Sequence, residues 1–126
     1  MDPKASFKTT GEQIDGAFSF ETADYLLEAK WTSSPSSRED IDVFASKVER
    51  KLDNTLGLFI SINGFSATAL TRGGTGRTKI IAMTGEDLIA VLDQRISLPE
   101  LLRRKRRHGA HTGEMFLSIK DMLNQD

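Results

Sequence analysis

The chain reads as an α/β sandwich whose mixed sheet opens with an antiparallel hairpin, and three observations predict this. Residues 13–31 hold two runs with the patterning of extended strands, separated by a short polar stretch. An amphipathic helical pattern then lies between the second run and a short, almost wholly apolar segment at residues 56–62. Strand, helix, strand in that order implies a right-handed crossover and parallel pairing. Further helical patterns and one more apolar strand follow, for a coarse order of β-β-α-β-α-β-α-α.

Taken in order, residues 1–11 carry Pro3, Gly11 and small polar side chains without a period, and are expected as a flexible tail or linker end. From Gln13 onward Ile14, Phe18 and Phe20 fall on one face and Asp15, Ala17 and Ser19 on the other, which marks a strand. Residues 21–24 are expected as the turn. Residues 25–31 are apolar on both faces, as befits an interior strand covered on each side. A polar loop with Pro35 leads to Ser37 and Asp40, whose spacing is that of a capping box. Ile41, Phe44, Ala45, Val48 and Leu52 recur at helical intervals and predict a helix over residues 38–54, with Lys47, Arg50 and Lys51 on its other face.

Residues 56–62 read as a buried strand. The loop at residues 63–66 leads to a short helix expected to stop at Gly73-Gly74, and residues 78–83 are another strand. Thr84 with Asp87 caps a helix built on Leu88, Ile89, Val91 and Leu92. Ser97 with Glu100 caps the next, which runs through Leu98, Leu101 and Leu102 and ends near Gly109. Residues 115–119 are a short apolar strand or helix. A length of 126 residues supports one domain with a real core, expected over residues 12–126.

Composition narrows the chemistry. With 38% hydrophobic and 28% charged residues, no transmembrane-length apolar run and no secretory signal, the chain is expected to work in a cytoplasm. The absence of cysteine excludes disulfides and thiolate sites, and His108 and His111 are the only histidines, so oxygen ligands are expected for any metal. The 17 Lys+Arg and 18 Asp+Glu nearly cancel, yet Arg103, Arg104, Lys105, Arg106 and Arg107 stand in an unbroken run. That run reads either as a solvated helix face or as a phosphate-contacting surface. Gly73, Gly74 and Gly76 beside Arg72, Arg77 and Lys79 lack the spacing of a phosphate-binding loop and read as a flexible loop.

Glu28 and Lys30 share a face of the second strand, and hairpin pairing would bring Asp15 to them. Acid, acid and amine can hold a divalent ion and activate water: magnesium takes one or two carboxylates and keeps several waters. Asp15 and Glu28 would be the ligands, with the Ala29 carbonyl as a third oxygen. Lys30 would orient or help deprotonate the attacking water and stabilise negative charge. Cross-strand ion pairs on a solvated face use the same residue types, for about 0.2–1 kcal/mol each. The apolar setting of residues 25–31 favours a functional reading, because unpaired charge there is costly.

The runs Q-I-D-G-A-F, Y-L-L-E-A-K-W, F-A-S-K-V-E-R-K and G-L-F-I-S-I-N-G-F-S resemble the PD-(D/E)XK nuclease superfamily, and within it the Mrr-like restriction endonuclease branch. The resemblance covers residues 11–70 well. It implies a restriction-endonuclease-like three-layer α/β/α sandwich with a mixed central sheet. It further implies a metal-dependent endodeoxyribonuclease that hydrolyses DNA phosphodiester bonds in restriction or phage defence, with Mg2+ as cofactor and Mn2+ as a substitute. On that resemblance Asp15 and Glu28 are metal ligands and Lys30 is the catalytic lysine. Gln13, on the face of Asp15, would support the metal or the scissile phosphate, and Lys47 would reach a DNA phosphate. Ser61, Asn63 and Ser66 would bound the substrate groove or merely shape its turn.

Two departures from the family pattern stand out. The helix that usually precedes the first core strand has only the residues before Gln13 to form it, so it is expected either to have been trimmed away, to come from elsewhere or to be dispensed with in this branch, and the usual Pro before the first acid is replaced by Ile14. Alternative readings are a catalytically silent nucleic-acid-binding module of the same fold and a nuclease acting on RNA. The presence of Asp15, Glu28 and Lys30 together argues against the silent module. Double-strand cleavage by so small a domain calls for two active sites, hence an expected homodimer, with specificity supplied by a further domain of a larger protein or by the dimer partner.

Overall fold

The structure, a computed structural model, describes residues 6–70 and 79–124. Its strands are β1 (Ser6–Thr10), β2 (Gln13–Phe20), β3 (Ala23–Lys30), β4 (Thr55–Ser61) and β5 (Ile80–Thr84), and its helices α1 (Arg38–Glu49), α2 (Gly85–Leu92), α3 (Leu98–Thr112) and α4 (Ile119–Asn124). The strands form one sheet in the order of the chain. β1, β2 and β3 make an antiparallel meander, and β4 and β5 add in parallel. The tail expected over residues 1–11 is corrected by β1, which pairs Lys8 with Asp15 and Thr10 with Gln13. Phe7, half exposed, is its one large apolar side chain, so an edge strand lay hidden in a segment without alternation.

The β2–β3 turn is tighter than the four residues expected. Phe20 pairs with Ala23, leaving Glu21 and Thr22 as the whole loop, at φ +49° and +66°. Two positive φ values in a two-residue loop are the type I′ arrangement, whose twist matches that of the flanking strands.

Alternation along the strands then sorts side chains into two cores. On one face Phe59, Ile80 and Ala82 pack against Ile41, Phe44, Ala45 and Val48 of α1. On the other, Phe18, Tyr25, Leu58, Ile81 and Met83 meet Ala90 of α2, Leu101 and Leu102 of α3 and Met122 of α4. Helices thus cover both faces, giving the three-layer α/β/α sandwich with a mixed sheet that the family resemblance implied. Gly57 sets how closely α1 approaches: a Cβ there would sit 2.7 Å from both Phe44 and Val48.

Boundaries differ from expectation for local reasons. The helix α1 is capped by Ser37 and Asp40 as expected, but it ends at Glu49 rather than residue 54. Asn54 adopts φ +72° to redirect the chain into β4, and Leu52 is left 87% exposed. Residues 67–70 form turns where a helix was expected, and the stop at Gly73-Gly74 lies outside the described residues, as does Thr78. The capping pairs Thr84/Asp87 and Ser97/Glu100 both form. Helix α3 passes Gly109 and ends at Thr112, with Gly113 in the left-handed conformation at φ +78°. After it the Met115 carbonyl accepts the Ala82 N–H, so this segment lines the edge of β5 before α4 begins.

Candidate active site

Register brings the expected residues together. Across β2 and β3, Asp15 lies opposite Glu28 and Gln13 opposite Lys30. Residues directly opposite share a face, and this face is the one that α1 covers. The Trp31 N–H donates to the Glu12 carbonyl at 3.1 Å, so alternation makes the Asp15–Glu28 and Gln13–Lys30 couples the non-hydrogen-bonded kind, in which side chains lie closest. The same alternation puts the Ala29 carbonyl in a hydrogen-bonded couple with Ile14, leaving its second lone pair for any other ligand.

Charges alternate through the site. Glu28 is only 3% exposed, and its two oxygens meet two ammonium groups: Oε1 lies 3.3 Å from Lys47 Nζ and Oε2 3.6 Å from Lys30 Nζ. Lys30 Nζ also lies 3.2 Å from Asp40 Oδ1 and 5.9 Å from the centre of the Phe59 ring. Asp40 Oδ2 accepts the Ser37 N–H at 2.9 Å, so the capping box that starts α1 also aims Asp40 at Lys30. Burial pushes the Asp40 carboxyl up, but the Ser37 N–H and the Lys30 ammonium outweigh it and hold the group below the usual aspartate range. Gln13 Nε2 donates to Asp15 Oδ1 at 2.7 Å, fixing one carboxylate oxygen. A cleft of about 300 Å³ opens here, lined by Asp15, Glu28, Lys47, Arg50 and Lys51 among others.

Other expected site residues lie elsewhere. The basic run belongs to α3, in the layer across the sheet from Asp15 and Glu28. Lys105 is corrected outright as a surface cation. It is 3% exposed, and its Nζ donates to the Leu117 and Ala82 carbonyls at 2.7 and 3.0 Å and pairs with Asp87 at 3.2 Å. Arg103 pairs with Glu21 and Glu100, and Arg104 with Glu100, while Arg106 and Arg107 are exposed. Ser61 is buried, bonding Ser36 and the Gly64 carbonyl, and Asn63 donates to the Thr32 carbonyl, so both hold the turn together. His108 lies on α3 near Glu114.

Sequence reasoning missed the partnership of Asp40 with Lys30, having recognised Asp40 only as a cap. It also missed Lys8, an exposed cation in register with Asp15, because β1 was not foreseen.

A mixed sheet sandwiched by helices, with two acids facing each other across its antiparallel hairpin and a lysine beside them, defines a restriction-endonuclease-like domain. Residues 4–92 match the family model of the Mrr-type catalytic domain, described as a restriction endonuclease, and the chain belongs to that family. No curated protein and no solved structure is significantly similar to it. The family makes the chain a nuclease of the restriction-endonuclease kind with DNA as its class of substrate, and such enzymes generally use divalent metal ions. The donor set fits an ion of that kind. Among the described residues no group of three or more His, Cys, Asp or Glu side chains converges. Two facing carboxylates and a carbonyl instead suit a hard cation that keeps much of its water.

Proposed function

We propose that the chain is a Mg2+-dependent endodeoxyribonuclease that hydrolyses DNA phosphodiester bonds in restriction or phage defence, with Mn2+ able to substitute. The observation that carries this reading is the register of Asp15 with Glu28, with Lys30 held beside them. Asp15, Glu28 and the Ala29 carbonyl would hold the ion, which supplies Lewis-acid stabilisation of the phosphate charge and makes bound water a better nucleophile.

The protein's own groups have separate tasks. Gln13 holds Asp15 in place for binding. Lys30, fixed between Glu28 and Asp40, orients the attacking water and stabilises the negative charge that grows on the phosphate. Lys47 offsets the buried charge of Glu28 and, being partly exposed, would be within reach of a DNA phosphate at the mouth of the cleft. Residues 12–126, with β1 added as an edge strand, act as one nuclease domain. Two copies cut the two strands as a homodimer, and further domains of a larger protein supply specificity. No described helix is long and apolar enough to cross a membrane, and we place the protein in the cytoplasm.

Plasmid DNA incubated with the protein and Mg2+ tests the reading. Nicking by the wild type should fall by roughly two to three orders of magnitude in Lys30→Ala, as when an electrostatic stabiliser is removed from other active sites, and should vanish with EDTA. Equal nicking in all three samples would overturn the assignment. A parallel RNA substrate separates the ribonuclease alternative, which predicts faster RNA cleavage.

A further inference from the structure

The cleft over Asp15 and Glu28 does not end there. A second cleft of about 520 Å³ shares Leu26 and Lys51 with it, so the two form one groove along β2 and β3 beside the C-terminal end of α1. Charge divides this groove. The half nearest the acids is walled by Lys47, Arg50 and Lys51, whereas the far half carries Asp24 and Asp53. Lys47 is engaged by Glu28, but Arg50 and Lys51 are exposed and form no ion pair among the described residues. Neither serves a structural purpose that would explain its charge: Arg50 contributes its backbone N–H to the end of α1 and Lys51 its own to Val48.

We propose that Arg50 and Lys51 hold a backbone phosphate of the DNA strand being cut, one or two nucleotides from the scissile bond. The inference rests on the nuclease reading above and adds the path of the substrate. Arg50 caps α1 three residues beyond Lys47, a rise of about 4.5 Å along the helix, on the order of one to two base steps at a rise of 3.4 Å per strand. Asp24 and Asp53 end the track, because a further phosphate would meet like charge. The strand is therefore gripped over a short length next to the site rather than along the whole groove, and not by the α3 run on the opposite layer.

The test measures binding separately from cleavage. Anisotropy of a short fluorescein-labelled duplex is followed in EDTA from about 50 to about 200 mM salt for the wild type, for Arg50→Gln/Lys51→Gln and for Arg106→Gln/Arg107→Gln, with circular dichroism melts as the check on folding. Each phosphate contact contributes about −0.9 to the slope of log K against log salt. The first double variant should flatten that slope by about one and raise KM for plasmid cleavage at least tenfold, with kcat at saturation kept within a few-fold. An unchanged slope in a folded Arg50→Gln/Lys51→Gln protein overturns the proposal while leaving the nuclease reading intact. So does a slope that flattens only in Arg106→Gln/Arg107→Gln. A wild type that neither binds nor cleaves DNA overturns both.

Discussion

Lys30 is held from two sides, and its second partner has consequences that can be measured. Asp40 joins the cap of α1 to the candidate catalytic lysine, so it positions Lys30 without belonging to the facing pair of acids. Asp40→Asn keeps an oxygen for the Ser37 N–H but removes the charge that holds Lys30. Hydrogen bonds to charged groups are worth about 1.5–3 kcal/mol, so kcat should fall on the order of tenfold or more with KM little changed, and a KM effect alone would contradict a positioning role. The same carboxyl has a depressed folded pKa. Its contribution to stability is therefore present above the ordinary aspartate value near pH 4 and lost as pH falls through the lower folded value. Melting temperatures of wild type and Asp40→Asn should differ at neutral pH and converge in acid.

Lys105 carries a different lesson at this scale. Burial lowers its pKa, opposed by Asp87, which is itself fully buried. Lys105→Ala would strand that carboxylate, and urea titration should show a loss of about 3–5 kcal/mol, the cost of breaking a buried pair from one side. The sequence did contain a signal for this burial. Lys105 stands four residues after Leu101 and three after Leu102, on the apolar stripe of α3. Reading five adjacent cations as one block overrode the helical period. Asp40 was less legible, because its contact with Lys30 depends on where α1 lands against β3.

At the scale of elements, the hairpin was the most legible part of the fold, since two alternating runs define their own faces and Asp15, Glu28 and Lys30 followed from parity. The turn was misjudged because Glu-Thr is poor type I′ material. Thr22 holds φ +66° with a β-branched side chain, an arrangement that costs roughly 1–2 kcal/mol relative to glycine. Thr22→Gly should therefore raise stability by about 1 kcal/mol after the entropy of the unfolded chain is counted, with nicking activity unchanged, since the turn is at the far end of the hairpin from Lys30. A fall in the urea midpoint would show that Glu21-Thr22 is favoured by contacts beyond its backbone. Edge strand β1 and the early end of α1 were not legible: one depends on pairing that Phe7 alone could not announce, the other on a chain reversal at Asn54 that an apolar Leu52 appeared to contradict.

For the molecule as a whole, the buried acid of the site is balanced by the protein's own cations. Glu28 is neutralised by Lys30 and Lys47, and the two helical layers pack on the sheet through apolar contacts that involve neither Asp15 nor Glu28. Metal should therefore govern catalysis and not folding. EDTA is expected to abolish nicking while leaving the urea midpoint where it was, unlike a structural zinc domain that unfolds with a chelator. On the proposed reading Mg2+ would bind the folded state alone, so adding it should stabilise the protein by about 2.7 kcal/mol at a hundred times its dissociation constant and raise the midpoint accordingly. Asp15→Asn should lose that rise yet keep the metal-free stability, because Asp15 forms no ion pair among the described residues and the amide can still bond Gln13. A midpoint that drops on chelation, or a magnesium response that survives in Asp15→Asn, would place the bound ion away from the two facing acids.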